Sequence, residues 1–134
     1  MVAGVLSGIR VVDFSHHIAG PYCTKLFADW GAEVLKIERP GLGDPARTMG
    51  PYPGDVPHPE KSGTFLHLNT NKKSITLDLA STFAHEVVES LVRDADIVVE
   101  SFRPGVMDRL GFGYDVLRSW NPDVVVTSIT NFGQ

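Results

Sequence analysis

The chain has 134 residues, a formal net charge of -4 and an isoelectric point near 5.6, a length that supports one domain burying roughly two-thirds of its unfolded surface. Its 43% hydrophobic and 21% charged content is that of a folded globular protein. The acidic balance excludes the basic surface that non-specific nucleic-acid binding requires, though not a local basic pocket for phosphates. A lone cysteine, Cys23, makes no internal disulfide, no charged-then-apolar leader opens the chain, and no apolar run approaches the ~20 residues of a membrane span. These features predict a cytoplasmic protein with no membrane partner.

The β-branched run at 9–14 predicts a first strand of a sheet covered on both faces. A turn follows, Ser15-His16-His17-Ile18-Ala19-Gly20, and Gly20-Pro21 opens a helix, because proline in a first turn lacks only an N–H that would have no partner there. Tyr22, Leu26 and Trp30 recur at four-residue spacing beside Phe27, a stripe expected to pack into the core. Gly31 is the expected helix stop. Val34, Leu35 and Ile37 form a second strand that leaves through Glu38-Arg39. In such a β-α-β unit the unpartnered N–H groups at the helix start attract anions.

Residues 40–63 are rich in proline and glycine and read as a long loop, a lid or a mobile segment. Gly41-Leu42-Gly43-Asp44 carries only half of a dinucleotide-binding glycine pattern and follows no strand-to-helix turn. Residues 64–69 suit a short helix or a strand equally, and 74–79 alternate as a strand. Ser81 or Thr82 can cap the next helix, with Phe83, Val87, Val88, Leu91 and Val92 inward and His85 and Glu86 outward. The apolar strand 97–99 runs into Glu100-Ser101-Phe102-Arg103, and Pro104-Gly105 opens a short helix. An amphipathic helical stretch at 114–120 leads through Asn121-Pro122 into a last strand at 124–129.

Alternating strands and helices of these lengths predict a parallel α/β sheet with its ligand at the carboxyl ends of the strands. Three such ends converge in this reading, at 15–20, at Glu38-Arg39 and at 101–105. With no helix after the last strand to cover it, residues 1–134 read as one incomplete domain.

His16 and His17 are neighbours that point to opposite sides in an extended segment, so a metal site is not expected. Asp13, Ser15 and His16 supply the residue types of a hydrolase triad, but no G-x-S-x-G elbow occurs in the chain. Cys23 reads as a buried structural thiol. Arg39, Arg103 and Arg109 sit near predicted strand ends or helix starts, where guanidinium forks suit phosphate oxygens.

Four segments, LSGIRVVDFSHHIAGPYCTKLFADWGAEVLKIERPGLGD, LNTNKKSITLDL, ADIVVESFRPGVMDRLGFGYDVL and NPDVVVTSITNFGQ, together resemble the N-terminal part of the family III CoA-transferases. That group includes formyl-CoA transferase, carnitine CoA-transferase and the related α-methylacyl-CoA racemase. The resemblance implies a Rossmann-like parallel sheet with helices on both faces, forming part of a large domain that binds coenzyme A. It implies His16 and Ala19 as CoA contacts, Arg39 against the nucleotide phosphates, Leu77 at the adenosine, Phe102 and Val106 flanking it, and Arg109 as a further phosphate partner.

The family moves CoA between an acyl-CoA and a carboxylic acid through an aspartyl intermediate, by nucleophilic catalysis that splits one exchange into several acyl transfers. The resemblance places that aspartate downstream of Gln134, so this chain alone is expected to be inactive. The racemase chemistry of the relatives, or a CoA-binding or assembly module without activity, are the alternatives. Ile18 stands where formyl-CoA transferase has glutamine, which weakens an expectation of formate or oxalate specificity. Family members form interlinked homodimers, the assembly expected of a full-length protein.

Overall fold

The computed structural model describes residues 4–133. Five strands, β1 (Arg10–Asp13), β2 (Glu33–Glu38), β3 (Lys73–Thr76), β4 (Ile97–Glu100) and β5 (Val125–Ser128), form one sheet. Their order is β3-β2-β1-β4-β5 and every neighbouring pair is parallel. Five helices connect them: α1 (Ala19–Asp29), α2 (Gly63–Leu68), α3 (Thr82–Arg93), α4 (Val106–Arg109) and α5 (Tyr114–Trp120). This is the doubly wound arrangement of a Rossmann-like sheet.

Alternation along the strands divides the core into two layers. Val12, Phe14, Ile37 and Val98 face α3, α4 and α5 and bury Val88, Val92, Met107, Phe112 and Leu117. Val11, Val34 and Val99 face the other way, against Ala28 and Ala32 at the end of α1. Each such side chain, fully buried, contributes about 1.5–3 kcal/mol.

The inward face of α1 corrects the sequence reading. Tyr22, Leu26 and Trp30 are 48%, 42% and 58% exposed, and the helix buries Gly20, Pro21, Thr24 and Ala28 instead. Two stripes of four-residue spacing compete on this helix, and the small one wins for a polar reason. Buried Asp13 requires a donor, which Thr24 Oγ1 supplies at 2.6 Å, and a Cβ at position 20 would overlap the Ser15 side chain. Only a helix pressed close to the sheet meets both demands. Gly31, at φ 101°, takes the left-handed position after the helix as expected.

In α3 the buried row is Ala84, Val88 and Val92, so Phe83, one residue out of phase, is 63% exposed and not inward. Residues 64–69 resolve into α2, whose first turn is capped by Ser62 Oγ accepting from the Phe65 amide at 3.1 Å. The strand expected at 74–79 is displaced to Lys73–Thr76, although Leu77 still donates to the Glu38 carbonyl at 2.9 Å. The proline-rich stretch holds two 3-10 turns, Pro45–Thr48 and Pro53–Asp55. Among the described residues no helix is long and apolar enough to cross a membrane.

Candidate functional site

β1 and β4 lie side by side, but the chain leaves β1 toward β2 and leaves β4 toward β5 on the opposite side. That divergence opens a crevice at the carboxyl ends of the strands, the place where open α/β sheets hold ligands. The His16 amide donates to Ser101 Oγ at 2.8 Å, joining the two exits, and the His16 ring lies 5.3 Å from that of Phe102.

Two adjoining clefts occupy the crevice. The first, of about 440 Å³, is bordered by His16, Arg39, Arg103 and a mostly apolar wall that includes Leu77, Phe102 and Val106. The second, of about 500 Å³, shares His16, Arg39, Phe102 and Arg103 and adds His17, Leu42, Gly43, Pro45 and Thr48 from the proline-rich stretch. Thus five of the seven residues singled out in the sequence, His16, Arg39, Leu77, Phe102 and Val106, line one cleft. Ala19, the first residue of α1, and Arg109, at the end of α4, are exposed and line neither. Arg103, noted in the sequence only as one of three rim arginines, lines both.

Behind these walls lies a buried polar network. Asp13, at the end of β1, accepts from the Ser15 amide at 2.9 Å, from the hydroxyls of Ser15 and Thr24, and from Lys72 Nζ at 3.1 Å. Burial opposes its ionisation, but the charges of Lys36 and Lys72 and the two hydroxyls outweigh that and hold its carboxyl below the usual range. Lys72 also donates to the Pro21 carbonyl and to Asn69 Oδ1, each at 2.9 Å. Desolvation lowers its ammonium to about 8, against the opposing pull of Asp13.

A second buried link joins β2 to the proline-rich stretch. Lys36 Nζ donates to the Ser15 carbonyl at 2.7 Å and lies 2.8 Å from Asp44 Oδ2, a charge contact without hydrogen-bond alignment. Asp44 Oδ1 accepts from the His17 and Ala46 amides at 3.1 and 2.8 Å. Glu38 receives a two-pronged contact from Arg47, 2.7 Å from Nε and 3.0 Å from Nη2, with Ser74 Oγ at 2.7 Å and the Asp44 amide at 2.9 Å. Burial works against the charge, yet these donors bring the Glu38 carboxyl down to about 2. The Arg47 guanidinium stacks 3.7 Å from the centre of the Phe65 ring.

These contacts define what the site can do. Ser15 is fully buried and its hydroxyl is taken up by Asp13, so the triad residue types near β1 make no serine nucleophile. Cys23 is half-buried, and burial, with Asp13 nearby, pushes its thiol up and away from reactive thiolate. Burial lowers the His16 imidazole, with Lys36 acting in the same direction and Asp44 against it. His16 is therefore a neutral hydrogen-bonding group near pH 7, and the positive charge at the crevice comes from Arg39 and Arg103.

The network was absent from the sequence reading, although one signal for it exists. Lys36 interrupts the apolar run VLKIE at the phase of Val34, which faces α1, and a lysine at a covered position must be paired. Its partners Asp44 and Ser15 lie in loops whose paths no periodicity describes.

A doubly wound parallel sheet with an arginine-flanked, largely apolar crevice at its switch point places the chain in the α/β class whose ligands lie at the carboxyl ends of the strands. The chain belongs to the CoA-transferase family III, which it matches over residues 6–134. It is 45% identical over 128 residues to the formyl-CoA:oxalate CoA-transferase of Rhodopseudomonas palustris, covering 96% of this chain and 29% of that one. It is likewise 45% identical over 130 residues to the succinyl-CoA:mesaconate CoA-transferase of Haloarcula hispanica, covering 97% and 33%. Among solved structures it superposes on the hypothetical protein Rv3272 of Mycobacterium tuberculosis with a TM-score of 0.86 at 41% identity, covering 98% of this chain and 35% of that one. A CAIB/BAIF family protein from Brucella suis gives a TM-score of 0.85 at 35% identity, covering 96% and 34%. The chain thus spans about a third of the length of these relatives and corresponds to their N-terminal portion.

Proposed function

We propose that this chain binds coenzyme A across the carboxyl ends of β2, β1 and β4, as the N-terminal portion of a CoA-transferase that moves CoA between an acyl-CoA and a carboxylic acid. The observation that carries the reading is the convergence of His16, Arg39, Leu77, Phe102 and Val106 on one cleft. In this reading the guanidinium of Arg39 meets nucleotide phosphates at the cleft mouth, where paired donors suit phosphate oxygens, and Arg103 assists it. Leu77, Phe102 and Val106 offer apolar surface to the adenosine, and neutral His16 hydrogen-bonds without adding charge. The pantetheine arm runs past His16 into the second cleft, along Gly43 and Thr48.

In this reading a carboxylate nucleophile, an aspartate outside residues 1–134, attacks the acyl thioester and expels CoA thiolate to give a mixed anhydride, and the thiolate then attacks the aspartyl carbonyl, releasing the first carboxylic acid and leaving an enzyme thioester. Asp13 and Asp44 do not take that role, since hydrogen bonds and lysine ammonium groups inside the fold occupy their carboxylates. The 134-residue chain alone therefore binds CoA without turning it over, and a full-length protein forms an interlinked homodimer. Calorimetry with CoA tests the reading. One-to-one binding that weakens when the 3′-phosphate is removed is expected; absence of binding refutes it.

A further inference from the structure

We propose that Lys36 is a positioning residue: locked between the Ser15 carbonyl and the Asp44 carboxylate, its ammonium sets the spacing between the His16 turn and the wall at Gly43, Pro45 and Thr48, and so decides whether one ligand can span both clefts. The inference rests on the CoA reading only for the identity of that ligand.

The side chains of Lys36 and Asp44 are 1% and 0% exposed, and burying two charges costs more than filling the same volume with apolar atoms. A methionine would fit the length of Lys36 at a smaller cost, so stability alone does not account for the pair. Geometry does. Lys36 is anchored in β2, between β1 and β3, and its Nζ reaches out of the sheet to two loops that nothing else in β2 ties together.

On one side, the Ser15 carbonyl fixes the segment that turns at His16 and enters α1. On the other, Asp44 caps the turn Pro45–Thr48 through the Ala46 amide and donates its own amide to Glu38. Asp44 then crosses back to accept from the His17 amide, at a residue whose φ of 66° lies in the left-handed region that non-glycine residues avoid. His16 borders both clefts and Gly43, Pro45 and Thr48 border the second, so the Lys36 and Asp44 pair is the strut between their walls.

The test compares the wild-type chain with Lys36→Met and with Lys36→Met/Asp44→Asn. If the single variant unfolds because it leaves Asp44 uncompensated, the double variant carries the test, since asparagine keeps an acceptor for the His17 and Ala46 amides. In the folded variant, amide exchange at His16 and His17 should quicken at least about tenfold while α3 and α5 keep wild-type protection. Affinity for CoA should fall about tenfold or more, because a ligand that spans both clefts loses contacts in one of them. Affinity for adenosine 3′,5′-bisphosphate, confined to the first cleft, should stay within about twofold.

A folded variant with unchanged exchange and unchanged CoA affinity overturns the proposal. So do equal losses for the two ligands, which would mean general loosening. If the wild-type chain does not bind CoA, the CoA reading falls, and the exchange measurement alone decides the role of Lys36: local quickening supports it and unchanged exchange overturns it.

Discussion

Replacing Glu38 with glutamine tests how the proline-rich stretch is held. The Glu38 carboxyl is 2% exposed and accepts from Arg47, Ser74 and the Asp44 amide, which together lower it from its ordinary 4.5 to about 2. A depressed folded-state value means that the unfolded chain binds the proton more tightly. The stabilisation is therefore fully present above pH 4.5 and is lost as pH falls from there through 2. At about 1.4 kcal/mol per pH unit, it comes to about 3 kcal/mol at neutral pH. Urea unfolding of both proteins from pH 7 down to pH 3, read by far-ultraviolet circular dichroism, measures it. The gap between wild type and Glu38→Gln should be about 3 kcal/mol at pH 7 and close steadily below pH 4.5 as the carboxyl of the unfolded chain takes up its proton while the native one stays ionised. A gap that stays constant across that range would show that Glu38 acts through shape alone and would refute the electrostatic argument.

Other outcomes follow from the same structure. Arg39→Ala should weaken CoA binding by about 1.5–3 kcal/mol, the worth of a charge-assisted contact, and unchanged calorimetric affinity would remove Arg39 from the site. Because burial lowers Lys72 to about 8, below its ordinary 10.5, the wild type should gain stability relative to Lys72→Met as pH rises from 8 to 10.5; a gap that does not move contradicts that burial. Leu117, fully buried between α5 and the sheet, should cost about 2–5 kcal/mol when cut to alanine. Exposed Trp30 replaced by serine should change stability by no more than about 0.5 kcal/mol in the same denaturation assay, and a large loss there would restore the aromatic stripe to the core.

The α/β class, the five strands and the crevice at their carboxyl ends were legible because each rests on a local pattern. β-branched runs such as Ile97-Val98-Val99 mark strands, Gly31 marks a helix stop, and alternation of element types dictates parallel pairing. The inward side of a helix was legible only where one stripe was apolar without a competitor. On α1 the periodicity of Tyr22, Leu26 and Trp30 is real, but Gly20, Thr24 and Ala28 repeat at the same interval, and the choice between them is made by Asp13, a residue of another element. The buried network was illegible for the same reason. Lys36 meets Ser15 and Lys72 meets Asp13 across 21 and 59 residues of chain, and a distance of a few ångströms between residues so far apart leaves no trace in spacing. Of the candidate site, the residues that line the crevice came from strand exits and family resemblance; the struts behind them came only from the fold.

The hydrogen bond from the His16 amide to Ser101 Oγ spans residues 85 apart in the chain. It crosses the seam where β1 meets β4, and that seam is closed by the longest loop in the sheet's connectivity, whereas β1 meets β2 after a single helix. Loop closure is an entropic debt settled before the contacts across it give any return, so this seam carries the largest closure cost in the sheet. Both clefts depend on it, because His16 and Phe102, which border each of them, come from its two sides. A molecule lodged there would act as a clasp across the two halves, and by mass action its concentration would add to the stability of the folded chain.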